Sequence, residues 1–185
     1  MNTVITSKEA ILNISRQLIQ KQGCTAINIR NVAAACGVSV GSIYNYFNSK
    51  SDLMAAVIES VWHDIFHFPD NIDNSINFLD CVSIIFNNIQ EGVKKYPGFF
   101  TLHSISFLGN DKVNGQKLMA KSWEHIQAVL YNILCNDKNI RKEAFNEILT
   151  PQKFTDIIFS LIISALIQQN YDCTAILEMI KKTIY

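Results

Sequence analysis

The twenty residues Asn28-Ile-Arg-Asn-Val-Ala-Ala-Ala-Cys-Gly-Val-Ser-Val-Gly-Ser-Ile-Tyr-Asn-Tyr-Phe47 decide the reading of this chain. They predict two short helices joined by a tight turn. Asn28 suits an N-cap, because its side-chain oxygen can accept an orphan amide of the first helical turn. Ile29, Val32 and Ala33 recur at helical spacing and form a narrow apolar face. The run Ala33 to Ala35 favours helix and leaves room for another helix to approach closely. Cys36-Gly37-Val38-Ser39 breaks the pattern. Gly37 can take the left-handed conformation that ends a helix, and Ser39 can cap the next, expected over Val40 to Phe47. Ile43 and Phe47, four apart, anchor that second helix. The rest of its surface is Val40, Gly41, Ser42, Tyr44, Asn45 and Tyr46. So short a helix, with so much polar and aromatic surface, buries too little to be mainly structural. Two helices about a glycine-containing turn form a helix-turn-helix, whose second helix enters the major groove of DNA.

The pattern resembles the N-terminal domain of TetR-family transcriptional regulators. Five spaced elements carry the resemblance: Val32-Ala33, Gly37-Val38-Ser39, Gly41-Ser42, Tyr44-Asn45-Tyr46-Phe47 and Lys50-Ser51-Asp52-Leu53. It covers roughly residues 7 to 60 and is architectural beyond them. One departure is Val40, where many members of the family carry a polar or basic residue. Valine offers only apolar contact, for instance to a thymine methyl. The resemblance implies an all-α protein with a three-helix N-terminal DNA-binding domain and a C-terminal helical domain for ligand binding and dimerisation.

Net charge is +0 over 185 residues, which is uninformative until the chain is divided. Residues 1–50 hold five basic side chains, Lys8, Arg16, Lys21, Arg30 and Lys50, against Glu9 alone; the remainder holds 11 basic and 15 acidic residues. The cationic end coincides with the helix-turn-helix, as an electrostatic footprint for DNA requires. Apolar residues make up 49%, with three prolines and seven glycines, which favours long buried helices. Cys24, Cys36, Cys81, Cys135 and Cys173 are scattered and odd in number, without a Cys-x-x-Cys pair, so neither a disulfide framework nor a zinc site is expected. The N-terminus lacks a basic region followed by an apolar run, and the longest apolar stretch, Ile157 to Ile167, is far short of a bilayer span. A soluble cytoplasmic protein without membrane contact is expected.

Before the helix-turn-helix, a first helix is predicted over Ser7 to Gln22, with Gly23 as its stop. After it, Ser49 and Asp52 open a helix that runs to Phe68 before Pro69. Helices are then expected at Ile72 to Lys95, Phe99 to Leu108, Gln116 to Cys135, Pro151 to Gln169 and Thr174 to Ile184. A polar turn is expected over Gly109 to Gly115 and a short helix around Ala144. This divides the chain into a helix-turn-helix domain at 1–48, a connecting helix at 49–68, and an effector-binding and dimerisation domain at 69–185.

Candidate DNA-contacting residues are Asn28, Arg30, Ser39, Val40, Gly41, Ser42, Tyr44, Asn45, Tyr46 and Lys50. Lys50 and the tyrosines suit phosphates, Arg30 a guanine edge or a phosphate, and Asn45 an adenine edge. An aromatic-rich set, Cys81, Phe99, Phe100, His103, Phe107, Trp123, His125 and Tyr131, suits an apolar cavity with a few polar anchors, or equally a plain packed core. Phe154 to Ile167 is apolar nearly all round, whereas a surface helix needs one apolar stripe. Phe154, Ile158, Leu161, Ile162, Ala165, Ile176 and Ile180 are therefore the candidate homodimer interface. His63 and His67 share a helix face but lack a third ligand, so no metal or other cofactor is expected. No Ser/His/Asp set, phosphate loop or paired carboxylates stands at an informative spacing, so no enzyme is expected. Two functions remain. One is a ligand-responsive repressor on a palindromic duplex operator, released by a small apolar or aromatic effector. The other is an architectural or protein-docking DNA-binding factor of the same fold without an effector.

Overall fold

The computed structural model describes residues 7–66, 76–100 and 112–185, with side chains in the last segment described from Trp123 onward. The described residues are helical, with no strand among them: α1 Lys8–Gln22, a 3₁₀ turn Cys24–Ala26, α2 Ile29–Cys36, α3 Val40–Tyr44, α4 Lys50–Ile65, α5 Phe78–Lys95, α6 Lys112–Asn136, α7 Pro151–Gln168 and α8 Thr174–Ile184. None of these helices is long and apolar enough to cross a membrane. They fall into two compact units. One comprises Met1–Asp64 with Gly92–Met119, the other Ile65–Glu91 with Ala120–Tyr185.

In the first unit, α1 starts on Ser7, whose Oγ accepts the Ala10 amide at 3.1 Å, and ends at Gly23. Ile11 and Ile19 face inward, and the buried Ser15 donates its hydroxyl to the Ile11 carbonyl at 2.8 Å, so no polar atom there is stranded. Asn28 caps α2 by accepting the Asn31 amide at 2.9 Å, and Gly37 ends it at φ 67° and ψ 27°. Ile43 of α3, with Phe47, Leu53, Val57 and Val61, completes the apolar centre of this unit. The first turn of α4 is held reciprocally: Ser49 Oγ accepts the Asp52 amide at 3.0 Å, and the Asp52 carboxylate accepts the Asn48 amide at 2.9 Å. The segment after Gly92 joins this unit through aromatic packing. Phe99 and Phe100 meet Trp62 edge-on at 5.7 and 5.6 Å. The buried Tyr96 donates its hydroxyl to Asp64 at 2.7 Å, and the Lys95 ammonium pairs with the same carboxylate at 2.6 Å.

In the second unit, the buried apolar residues are Phe78, Val82, Ile85, Phe86 and Ile89 of α5, Ile126, Leu130 and Leu134 of α6, Phe154, Ile158 and Ile162 of α7, and Ile180 and Ile184 of α8, with the rings of Phe78 and Phe154 5.9 Å apart. Asp137 ties this unit's ends together, accepting the Phe78 amide at 2.8 Å and the Tyr185 hydroxyl.

Several boundaries differ from expectation. Helix α3 stops at Tyr44, because the amides of Tyr46 and Phe47 both turn onto the Ile43 carbonyl and carry Phe47 into the core. Helix α4 ends at Ile65, and residues 67 and 68 lie outside the described segments. Helix α5 begins at Phe78, since Asn77 Oδ1 accepts the Asp80 amide at 2.8 Å and acts as a cap; residues 72–75 lie outside the described segments. Helix α6 begins at Lys112 and runs through Gly115, where a turn was expected. One interior glycine costs a helix only about 1 kcal/mol, which a 25-residue helix absorbs. Around Ala144 there are turns rather than a helix: Asn146 Oδ1 accepts the amides of Ile148 and Leu149 at 2.9 and 2.8 Å, a local arrangement that competes with helix. Of the expected helix Phe99 to Leu108, only residues 99 and 100 are described, and they are helical.

Of the candidate interface residues, Phe154, Ile158, Ile162 and Ala165 of α7 and Ile180 of α8 are buried within the protomer. Leu161 and Ile176 are half-buried. The outward apolar positions are Ile157, 48% exposed, and Ile167, 66% exposed.

Candidate nucleic-acid interface

The head is built so that two caps and one apolar anchor fix the pose of α3. Gly37, in the left-handed region, donates its amide to the end of α2, and the Val38 amide follows onto the Ala33 carbonyl at 3.0 Å. Ser39 then accepts the Ser42 amide at 3.1 Å, and the hydroxyls of Ser39 and Ser42 lie 2.9 Å apart. Ile43 seats the helix from below. What remains faces solvent: Val40 at 40%, Tyr44 at 49% and Tyr46 at 39%, with Gly41, Asn45, Arg30 and Lys50 exposed around them. Asn28 sits half-buried with its side-chain oxygen occupied as the α2 cap, and Ser39 and Ser42 spend their hydroxyls on each other.

Gly41 is the most telling of these. Its backbone is not in the left-handed region, and an added Cβ would meet only Ser39 Oγ, at 3.6 Å, an ordinary contact. Neither backbone conformation nor internal packing demands glycine there, although glycine weakens a helix. The bare backbone leaves α3 open to close approach from outside.

The family model for bacterial regulatory proteins of the tetR family matches residues 11–57, the span from α1 into α4. The N-terminal head is thus similar to the DNA-binding domain of the tetR family. The nucleoid occlusion factor SlmA of Haemophilus ducreyi is 27% identical over 134 residues, covering 70% of this chain and 65% of its own length. The chain thus spans less than two-thirds of that relative. Among solved structures, a TetR transcriptional regulator from Legionella pneumophila aligns over 100% of both chains at 24% identity with a TM-score of 0.62. The reduced form of Escherichia coli NemR aligns over 96% of this chain and 97% of its own at 19% identity, with a TM-score of 0.64. These two structural likenesses show the fold.

The candidate cavity residues are placed very differently from the DNA-facing set. Phe99 and Phe100 are buried in the first unit as the aromatic cluster on Trp62. Cys81 is buried in the second unit, and there Trp123 meets Phe159 edge-on at 5.8 Å. His125 and Tyr131 are exposed on α6. His103 and Phe107, like His67, lie outside the described residues, while His63 is exposed. No group of three metal-ligating side chains occurs among the described residues. Burial pushes the Cys24 thiol up to about 11 and Cys81 up to about 12, and raises Cys36. Those three are thiols at neutral pH, which is the unreactive form.

Proposed function

We propose that the protein is a DNA-binding transcriptional regulator that grips a palindromic duplex as a homodimer and is released by a small apolar or aromatic effector held in its C-terminal helices. The observation that carries the DNA reading is the outward face of α3: an unforced glycine between exposed Val40 and exposed Tyr44, on the cationic end of the chain. In this reading Lys50, Tyr44 and Tyr46 hold phosphates, while Val40, Gly41, Asn45 and Arg30 approach base edges. Two heads on one duplex need a two-fold partner. The outward stripe of α7, Ile157 and Ile167 with half-buried Leu161, supplies an apolar surface for it. In this reading residues 1–48 bind DNA, the helix over 49–68 connects, and residues 69–185 bind effector and partner.

The test is Gly41→Ala. The head should melt no earlier, and about 0.5–1 kcal/mol of helix propensity can appear as added stability. Duplex binding should fall, because a methyl now stands on the approach surface. A variant that binds duplex as well as the parent would remove the main support for this face. For the effector, thermodynamic linkage requires operator DNA and effector to weaken each other by the same factor. Equal effector affinity with and without operator would end the release mechanism.

A second reading is an architectural or protein-docking factor that binds DNA without an effector. Its support is the 27% identity to a nucleoid occlusion factor and the edge-on contacts of Phe99 and Phe100 with Trp62, which suit a packed aromatic core. Failure of a broad panel of apolar small molecules to shift the melting temperature would favour it.

A further inference from the structure

We infer that Lys8, in the first turn of α1, is an additional phosphate-gripping residue, held in place by the ring of Phe47. This rests on the DNA reading above and extends the contacting surface to a helix outside the helix-turn-helix. The Lys8 Nζ lies 5.6 Å from the Phe47 ring centroid. Phe47 is buried and immediately follows exposed Tyr46, so the ring fixes the ammonium beside the reading face. Lys8 itself is exposed and lies within ion-pair distance of no carboxylate among the described residues.

Two comparisons set Lys8 apart. Helix electrostatics do not account for it, since a cation in a first turn opposes the helix dipole; Glu9, its exposed neighbour, is the residue that suits that end. Among the other cations of the head, Arg16 is committed inward: it donates to Ser60 and Asn13 and lies in the field of Asp64. Lys8 by contrast lies over the ring of Phe47, three residues after the end of α3, with Lys50 opening α4 three residues beyond Phe47. The ring holds a lysine where a duplex backbone passes, and lowers the freedom that the side chain would lose on contact.

The experiment measures binding of the full chain to a mixed-sequence duplex across a salt series, for the parent, Lys8→Gln and Lys8→Arg. Each phosphate contact contributes about 0.9 to the slope of log affinity against log salt. Lys8→Gln should flatten the slope by that amount per subunit bound, so its deficit relative to the parent closes by about eightfold per bound subunit, about sixtyfold for a dimer, over a tenfold rise in salt. Lys8→Arg, which keeps the cation, should restore the parental slope. A Lys8→Gln slope equal to the parent's overturns this inference while leaving the DNA reading intact. A parent that fails to bind the duplex at low salt overturns both. Lys8 is exposed, so unfolding of the variant does not obscure the result.

Discussion

Helices α3 and α7 both leave apolar side chains in water, but of different chemistry. The five residues of α3 have one buried anchor, Ile43, and expose Tyr44 next to a bare glycine. The eighteen residues of α7 bury Phe154, Ile158, Phe159, Ile162, Ala165 and Leu166, and still expose Ile157 and Ile167. Tyrosine has an apolar body and a hydroxyl, which suits the wet, anionic surface of a nucleic acid. Isoleucine offers no hydrogen bond and suits a dry face against another protein. This contrast is why the proposed function gives the two exposed surfaces different partners.

The largest effect separates the two sides of α7. Ile158→Ala should cost about 2–5 kcal/mol of unfolding free energy, whereas Ile157→Ala should stay within about 0.5 kcal/mol when measured on the monomer by denaturant titration. Equal costs would mean that the inward and outward assignments are wrong. Next, Ile157→Glu should break self-association, read by sedimentation, while the protomer remains folded by circular dichroism. Persistence of the dimer would move the partner surface elsewhere. On α3, Tyr44→Ala should weaken duplex binding by on the order of tenfold, the value of one hydrogen bond to a charged group, without lowering the melting temperature. A change in melting with no change in binding would make Tyr44 a structural residue.

The smallest effect lies at Asp64, where the first unit joins α4 to the segment after α5. Burial pushes its carboxyl up, but the hydrogen bonds from Lys95 and Tyr96 and the charges of Lys95 and Arg16 outweigh that and hold it below its ordinary value of 3.8. A carboxylate depressed by folding contributes stability above its unfolded pKa, and the contribution is lost as pH falls through the lower folded value. Asp64→Asn should therefore destabilise the protein at neutral pH, by less than about 1 kcal/mol because the pair is partly exposed, and the deficit should shrink below about pH 4. A deficit that is constant with pH would assign the effect to packing.

The head was legible because its boundaries rest on local chemistry. Ser7, Asn28, Gly37, Ser39 and Ser49 act on amides or carbonyls within a few residues, and each sits where the sequence placed it. The end of α3 was not legible, because burial of Phe47 is a tertiary event that closes the helix early. The sidedness of α7 was hidden for another reason. An apolar run offers no polar contrast from which to tell the core face from the outer face, so Ile158 and Ile157 look alike in one dimension. The aromatic set failed to resolve similarly: composition does not distinguish a filled cluster from a cavity wall, and Trp62, the ring that Phe99 and Phe100 meet, lies 37 residues before the first of them. The pairing of Lys8 with Phe47 likewise joins positions with no sequence signal in common.

The central claim is that two copies of the α3 face read one duplex together. The direct measurement is selection of bound duplexes from a random pool by the 185-residue chain. The account predicts enrichment of a palindrome whose half-sites are about one helical turn apart or a multiple of it, and loss of that enrichment with Tyr44→Ala. A pool that returns unenriched from a protein retained on DNA at low salt, or the same palindrome recovered with Tyr44→Ala, would contradict it.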